Sequence, residues 1–78
     1  MNKPQVGEVY KHFKGMIIEI IAVGKNTETL EEMVVYNHDG EIWIRPLEMF
    51  MSKVDKKKYP EVKQKYRFEL QEIKSKNV

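Results

Sequence analysis

Met33-Val34-Val35-Tyr36-Asn37-His38-Asp39-Gly40-Glu41-Ile42-Trp43-Ile44-Arg45 is the stretch that decides the fold. Two runs rich in β-branched and aromatic residues flank Asp39-Gly40, a dipeptide that readily adopts the left-handed backbone of a two-residue hairpin turn. Such a turn sets His38 opposite Glu41, Tyr36 opposite Trp43 and Val34 opposite Arg45. Val35, Ile42 and Ile44 point the other way and form an aliphatic face that reads as core. Tyr36, Trp43 and Arg45 fall together on the opposite face. A four-residue loop would keep these faces, whereas a three-residue loop with a bulge would change them.

On the N-terminal side, residues 8–13 and 16–23 are two further strand-like runs, with Lys14-Gly15 as their turn and Gly24 as a stop. A two-residue turn pairs Phe13 with Met16, Lys11 with Ile18 and Val9 with Ile20. Val9, Phe13, Met16, Ile18, Ile20 and Ala22 then share an expected core face, leaving Tyr10, His12, Ile17, Glu19 and Ile21 on the other. Lys11 is out of place on that apolar face and reads as an edge position or a snorkelling stem. The polar residues 25–32 form a loop.

On the C-terminal side, Pro46 suits the first position of a helix, and Leu47, Phe50 and Met51 recur at helical spacing as a plug over one end. Tyr59-Pro60 argues against regular structure in the lysine-rich connector that follows. Residues 66–73 are the last strand, with Tyr66, Phe68 and Leu70 on one side, and residues 75–78 read as a frayed tail. Five short strands with one short helix before the last predict a mainly β fold. The expected form is a small, strongly bent antiparallel barrel of the SH3-like type, with an open meander packed on the helix as the alternative.

The chain has 78 residues, so a single domain over residues 1–78 is expected, with its core at about 6–73. No cysteine is present, which excludes disulfide scaffolds, thiolate zinc sites and cysteine nucleophiles, and fits a reducing, cytoplasmic setting. The longest apolar run, residues 16–23, is broken by Glu19 and is too short to span a bilayer; Met1-Asn2-Lys3-Pro4 does not look like a signal peptide. Charge is uneven: residues 1–52 carry five basic and eight acidic groups, and residues 53–78 carry nine basic and four acidic ones, a balance of +5. Lys53, Lys56, Lys57 and Lys58 therefore suggest weak nucleic-acid contact, against the plainer reading of a solvated connector that guards a sheet edge.

Several blocks are similar to one family. Val6-Gly7-Glu8-Val9-Tyr10-Lys11-His12-Phe13-Lys14-Gly15 resembles the opening of the bacterial family called domain of unknown function 1653. Thr27-Glu28-Thr29, Glu32-Met33-Val34-Val35-Tyr36, Trp43-Ile44-Arg45-Pro46-Leu47-Glu48-Met49-Phe50 and Arg67-Phe68-Glu69 continue the resemblance, which covers roughly residues 6–73. Where the family often has histidine before a Ser-Glu-Thr stretch, this chain has Asn26. The resemblance implies a small, mostly β bacterial domain and no particular activity.

The residues themselves point to a non-catalytic binding or adaptor module. Tyr36 and Trp43 beside the Arg45 guanidinium make a stacking platform with a cation, joined by Tyr10 and His12 from the first hairpin. The structural alternative is that Tyr36 and Trp43 cover a minor core while Arg45 pairs with Glu48. Thr27 and Glu28 form a polar rim, or the threonines simply cap a turn. His12 and His38, even with Glu28 or Glu41, match no metal-ligand motif, so no metal and no cofactor are expected. Ser52 and Ser75 have no histidine at motif spacing, and four scattered glycines make no phosphate loop. Three alternatives to a non-catalytic peptide or protein binder stay open at this level: binding of single-stranded nucleic acid, binding of a nucleotide, and a small hydrolytic or nucleotide-processing role for Glu28 with His12. No membrane partner is expected.

Overall fold

The computed structural model describes residues 3–74, with side chains as far as residue 71. The strands are β1 (Glu8–His12), β2 (Ile17–Lys25), β3 (Glu32–His38), β4 (Glu41–Pro46) and β5 (Phe68–Lys74), with one helical turn, α1 (Leu47–Phe50), between β4 and β5. They form a single antiparallel sheet of order β4-β3-β2-β1-β5. β4 and β5 are its two edges and do not pair with each other, so the sheet is open and the expected barrel is not closed. The tail expected over residues 75–78 lies outside the described residues.

The β3–β4 hairpin has the register that Asp39-Gly40 predicts. His38 faces Glu41, Tyr36 faces Trp43 and Val34 faces Arg45. Asp39 and Gly40 both take positive φ, 54° and 84°, as a type I′ turn requires, and the Gly40 N–H donates to Asn37 Oδ1 at 3.0 Å. The expected core face is reversed, however. Val34 and Tyr36 are buried, Val35 is half-buried, and Ile42 and Ile44 are exposed, Ile44 at 64%. The chain leaving β4 at Pro46 places α1 on the Tyr36 side, where Leu47 and Phe50 bury. Aromatic rings bury more area than the aliphatic row, and β-branched residues favour strands whether or not they are covered.

The β1–β2 register is one residue away from the expected one. Residues 13–15 make a three-residue loop rather than a two-residue turn: the Gly15 N–H donates to the His12 carbonyl at 2.7 Å, and the His12 N–H to the Met16 carbonyl at 2.8 Å. Gly15 sits at φ 102°, a conformation that glycine adopts without strain. Tyr10 therefore pairs Ile18, and Lys11 pairs Ile17. A slip of one residue turns every β1 side chain over. Tyr10 (2% exposed) and His12 (7%) enter the core, while Val9 and Phe13, expected there, are only half-buried. Lys11 moves outward. Ile18 and Ile20 are buried as expected, but a bulge between Ile20 and Ala22 shifts the alternation, so that Val23, opposite Val34, packs on the core in place of Ala22.

Phe50 anchors the inner face. Its ring stacks on Phe68 with centroids 4.1 Å apart and meets Tyr10 edge-on at 5.2 Å. Beyond α1 the connector doubles back, the Val54 N–H donating to the Lys65 carbonyl and the Arg67 N–H to the Ser52 carbonyl. Lys56 Nζ donates to the Val62 and Gln64 carbonyls, and Gln64 Nε2 donates to the Lys11 carbonyl at 3.0 Å. The lysine-rich segment is thus tied to β1, and Tyr59 reaches Phe13 with ring centroids 4.9 Å apart. Among the described residues no helix is long and apolar enough to cross a membrane.

Candidate functional site

Because α1 covers the inner face only at the Pro46 end of β4, the end near the Asp39-Gly40 turn stays open. There a cleft of about 250 Å³ opens over buried Ile18, Tyr36 and Phe68. Trp43 and Arg45 on β4 flank it, with Met16, His38 and His12 completing the lining. Trp43, on the edge strand β4, is 48% exposed. Arg45 Nε donates to the Tyr36 hydroxyl at 3.3 Å, and the guanidinium carbon lies 5.7 Å from the Phe68 ring centroid. Among the described residues Arg45 forms no ion pair with Glu48, and Tyr36 belongs to the main core rather than a minor one. The structure thus brings four of the five expected ligand residues, Tyr36, Trp43, Arg45 and His12, around one cleft.

Tyr10, the fifth, is elsewhere. It is sealed in the core, its hydroxyl donating to Glu8 Oε1 at 3.1 Å. Burial, with the Glu8 carboxylate adding charge repulsion and an acceptor, pushes its phenol well above the ordinary value. Its burial follows from the one-residue slip of β1 and removes it from the cleft lining.

His12 is held as a neutral ring. Its Nδ1 accepts the Lys14 N–H at 3.0 Å, which leaves the ring proton on Nε2. The ring stacks on Phe13 at 4.5 Å and meets Phe68 edge-on at 4.9 Å. Burial, then the charges of Arg45, Arg67 and Lys14 and the neighbouring His38, pull it from 6.5 to about 4.

On its far side His12 lines a second hollow of about 440 Å³ that shares Met16 and Arg45 with the first. Phe13, Lys14, Lys58, Tyr59 and Arg67 also line it. The connector builds this part: Lys14 Nζ and Lys58 Nζ lie 5.5 and 5.6 Å from the Tyr59 ring centroid, and Arg67 Nε donates to Ser52 Oγ at 3.2 Å. Of these five residues only Lys58 carries an expectation of ligand contact from sequence, as a weak nucleic-acid contact, and none is expected beside the cleft. The one trace of the hollow is the basic excess of residues 53–78, since Lys58 and Arg67 are brought to Lys14 by the fold of the connector.

Thr27 and Glu28 lie on the β2–β3 loop, at the opposite end of β2 from Met16. At about 3.3 Å per residue the nine residues of β2 separate them from His12 by roughly 25 Å. Asn26 closes that loop, its Oδ1 accepting the Glu28 and Thr29 N–H groups, while Thr29 Oγ1 accepts the Glu31 N–H. His12 and His38 share the cleft, whose lining contains no carboxylate. Among the described residues no three His, Asp or Glu side chains are grouped to hold a metal ion. Of the connector lysines, Lys58 lines the second hollow, Lys56 is engaged by backbone carbonyls, and Lys53 and Lys57 are exposed.

Neither a curated protein nor a solved structure matches the chain. The family described as "protein of unknown function (DUF1653)" matches residues 8–70, which include β1 to β4, α1 and every residue lining both hollows. On that match, over most of its length, the chain belongs to this family.

Proposed function

We propose that the chain is a non-catalytic binding module whose cleft takes a small planar group, stacked against Trp43 and held by Arg45. The observation that carries this reading is Trp43 itself. It is a large aromatic ring, about half exposed, at the lip of a concave apolar cleft, with a guanidinium oriented by the Tyr36 hydroxyl beside it. Exposed aromatic rings beside a cation are favourable places for a base, a ring or a proline to stack. A volume of about 250 Å³ suits one such group. The non-catalytic character is supported by a lining with no carboxylate, serine or threonine, and by a histidine whose Nδ1 is already engaged.

A strongly bent, SH3-like curvature of the sheet is part of this reading. On a flat sheet β4 and β5 would stand about 19 Å apart, at about 4.8 Å per strand. The Arg45 guanidinium of β4 nevertheless lies 5.7 Å from the Phe68 ring of β5. That approach of the two edges makes the cleft concave.

The test is an amide NMR titration with uridine, adenosine and a short proline-rich peptide, at low and at physiological salt. Shifts at Tyr36, Trp43 and Arg45 that persist at physiological salt support the reading. Shifts at Ile42 and Ile44 that rise with protein concentration would replace it with strand addition at the open β4 edge, whose outer face is exposed.

A further inference from the structure

We infer that the hollow between the β1–β2 turn and the connector is an anion site, built by Lys14, Arg45, Lys58 and Arg67 to hold the phosphate of a phosphomonoester whose planar ring occupies the Trp43 cleft. The inference rests on the ring-binding reading above and adds to it the chemical class of the ligand.

Four cations line this hollow against one carboxylate, Asp55. Asp55 is committed locally, its Oδ1 accepting the Lys57 and Lys58 N–H groups in a turn. Among the described residues no carboxylate forms an ion pair with any of the four cations. Charges that are partly withdrawn from water normally find partners of opposite sign, and here Arg45 and Arg67 are half-buried without one. An anionic ligand would supply the opposite charge that these half-buried guanidinium groups lack among the described residues.

The guanidinium groups are also oriented for it. Each is held through Nε, Arg45 by the Tyr36 hydroxyl and Arg67 by Ser52 Oγ, and both Nη groups of each are left for a ligand. A guanidinium tethered at one edge presents its remaining donors as a fork, the geometry that suits phosphate oxygens. His12, more than nine-tenths buried, adds a further donor: with Nδ1 engaged by the Lys14 N–H, its Nε2–H has no acceptor among the described residues, and the ring lines both hollows. Burial first, and then the charges of Arg45, Arg67, Lys14 and His38, lower the His12 pKa, and the charge part of that shift is consistent with the cationic lining. The groups facing His12 are those four, with Lys58 and Asp55 in the same hollow. A dianionic phosphate answers this charge better than a singly charged carboxylate, and Arg45, His12 and Met16, common to both hollows, join phosphate and ring in one ligand.

The test follows the His12 ring and the amides of Lys14 and Arg67 by NMR, and Trp43, the single tryptophan, by fluorescence. The probes are inorganic phosphate, uridine and uridine 5′-monophosphate, at constant ionic strength set with chloride. Phosphate and the monophosphate are expected to shift His12, Lys14 and Arg67 together, and to raise the His12 titration midpoint above about 4, because an anion offsets the field of the arginines. The monophosphate should bind at least about tenfold more tightly than uridine, as charge-assisted hydrogen bonds would give. Lys58→Gln, at an exposed residue that does not threaten folding, and Arg67→Gln should each weaken phosphate binding several-fold. Equal affinity for uridine and its monophosphate would overturn the anion site and leave the ring reading standing. Shifts from phosphate along residues 53–65 that bypass His12 would overturn it too. If phosphate moves His12 while no nucleoside quenches Trp43, the anion site is upheld and the ring reading fails. An oligouridine strand that binds as tightly per site as the monophosphate would overturn the monoester in favour of single-stranded nucleic acid.

Discussion

Protonating His12 should destabilise this protein from within, and the structure sets both the size and the pH window of the effect. The imidazole is 7% exposed, wedged between Phe13 and Phe68, with its Nδ1 lone pair committed to the Lys14 N–H. Burial and the nearby Arg45, Arg67 and Lys14 hold it at about 4, against 6.5 for a free histidine. Between those values the unfolded chain carries the proton and the folded chain does not, so stability rises with pH. The contribution is fully present above about 6.5, is lost progressively as pH falls below that value, and is gone once pH has fallen through about 4. The full gap is worth about 3 kcal/mol, and roughly 2 kcal/mol of it is gone by pH 5. A chain of this length has about 4–12 kcal/mol of stability in all, so that loss should lower Tm by roughly 8–16 °C between pH 7 and pH 5. The assay is thermal and urea unfolding, followed by far-UV circular dichroism, at several pH values from 7 to 5. This window lies above the ordinary range of Asp and Glu carboxyls. The control is His12→Phe, which keeps the ring but not the titration. It gives up the Lys14 hydrogen bond at about 1 kcal/mol, so its absolute stability shifts while its dependence on pH should flatten. Parallel pH profiles for His12→Phe and the parent protein, or a His12 midpoint near 6.5 by NMR, would overturn this account of the buried ring.

Other perturbations test the fold that carries the cleft. Ile44→Thr should change stability by no more than about 0.5 kcal/mol in urea unfolding, because Ile44 faces solvent; a loss of about 2 kcal/mol or more would return the core to the aliphatic face. Phe50→Ala removes a fully buried ring stacked at 4.1 Å on Phe68 and should cost about 3–5 kcal/mol, enough to leave much of the chain unfolded by circular dichroism. Gly40→Ala should cost about 1–2 kcal/mol through backbone alone, since φ is 84° and no atom lies within 4 Å of an added Cβ. A thermal shift no larger than that of a neutral surface change would count against the type I′ turn.

The clearest signals in the sequence are local. Asp39-Gly40 carries its own turn geometry, so the pairing of Tyr36 with Trp43 and of Val34 with Arg45 follows residue by residue. That pairing also puts Tyr36, Trp43 and Arg45 on one face, which is why three of the cleft residues are legible from the residue order alone. Lys14-Gly15 is more ambiguous. Glycine after the turn serves a two-residue or a three-residue loop, and the choice decides whether Tyr10 and His12 or Val9 and Phe13 go inside. The misplaced Lys11 is the available warning, because the three-residue loop is the one that turns it outward.

Short-range sequence thus dictates the strands, the short helix after Pro46, the β3–β4 register and the grouping of Tyr36 and Trp43 with Arg45. Each of these depends on backbone preferences or on side-chain alternation over a few residues. The side of the sheet that becomes the core is a different matter, fixed when α1 folds over the Tyr36 face and buries Phe50 against Phe68. Closure of the sheet likewise depends on its two ends, and β4 and β5 remain unpaired. The cationic hollow is the most tertiary feature of all. Lys14, Arg45, Lys58 and Arg67 come from a turn, an edge strand and two points of the connector, and their charges meet only because backbone bonds at Ser52 and Val54 double the connector back on itself while the Gln64 side chain ties it to the Lys11 carbonyl of β1. Burial and long-range charge are sums over the whole packed chain, and no short window of sequence contains them.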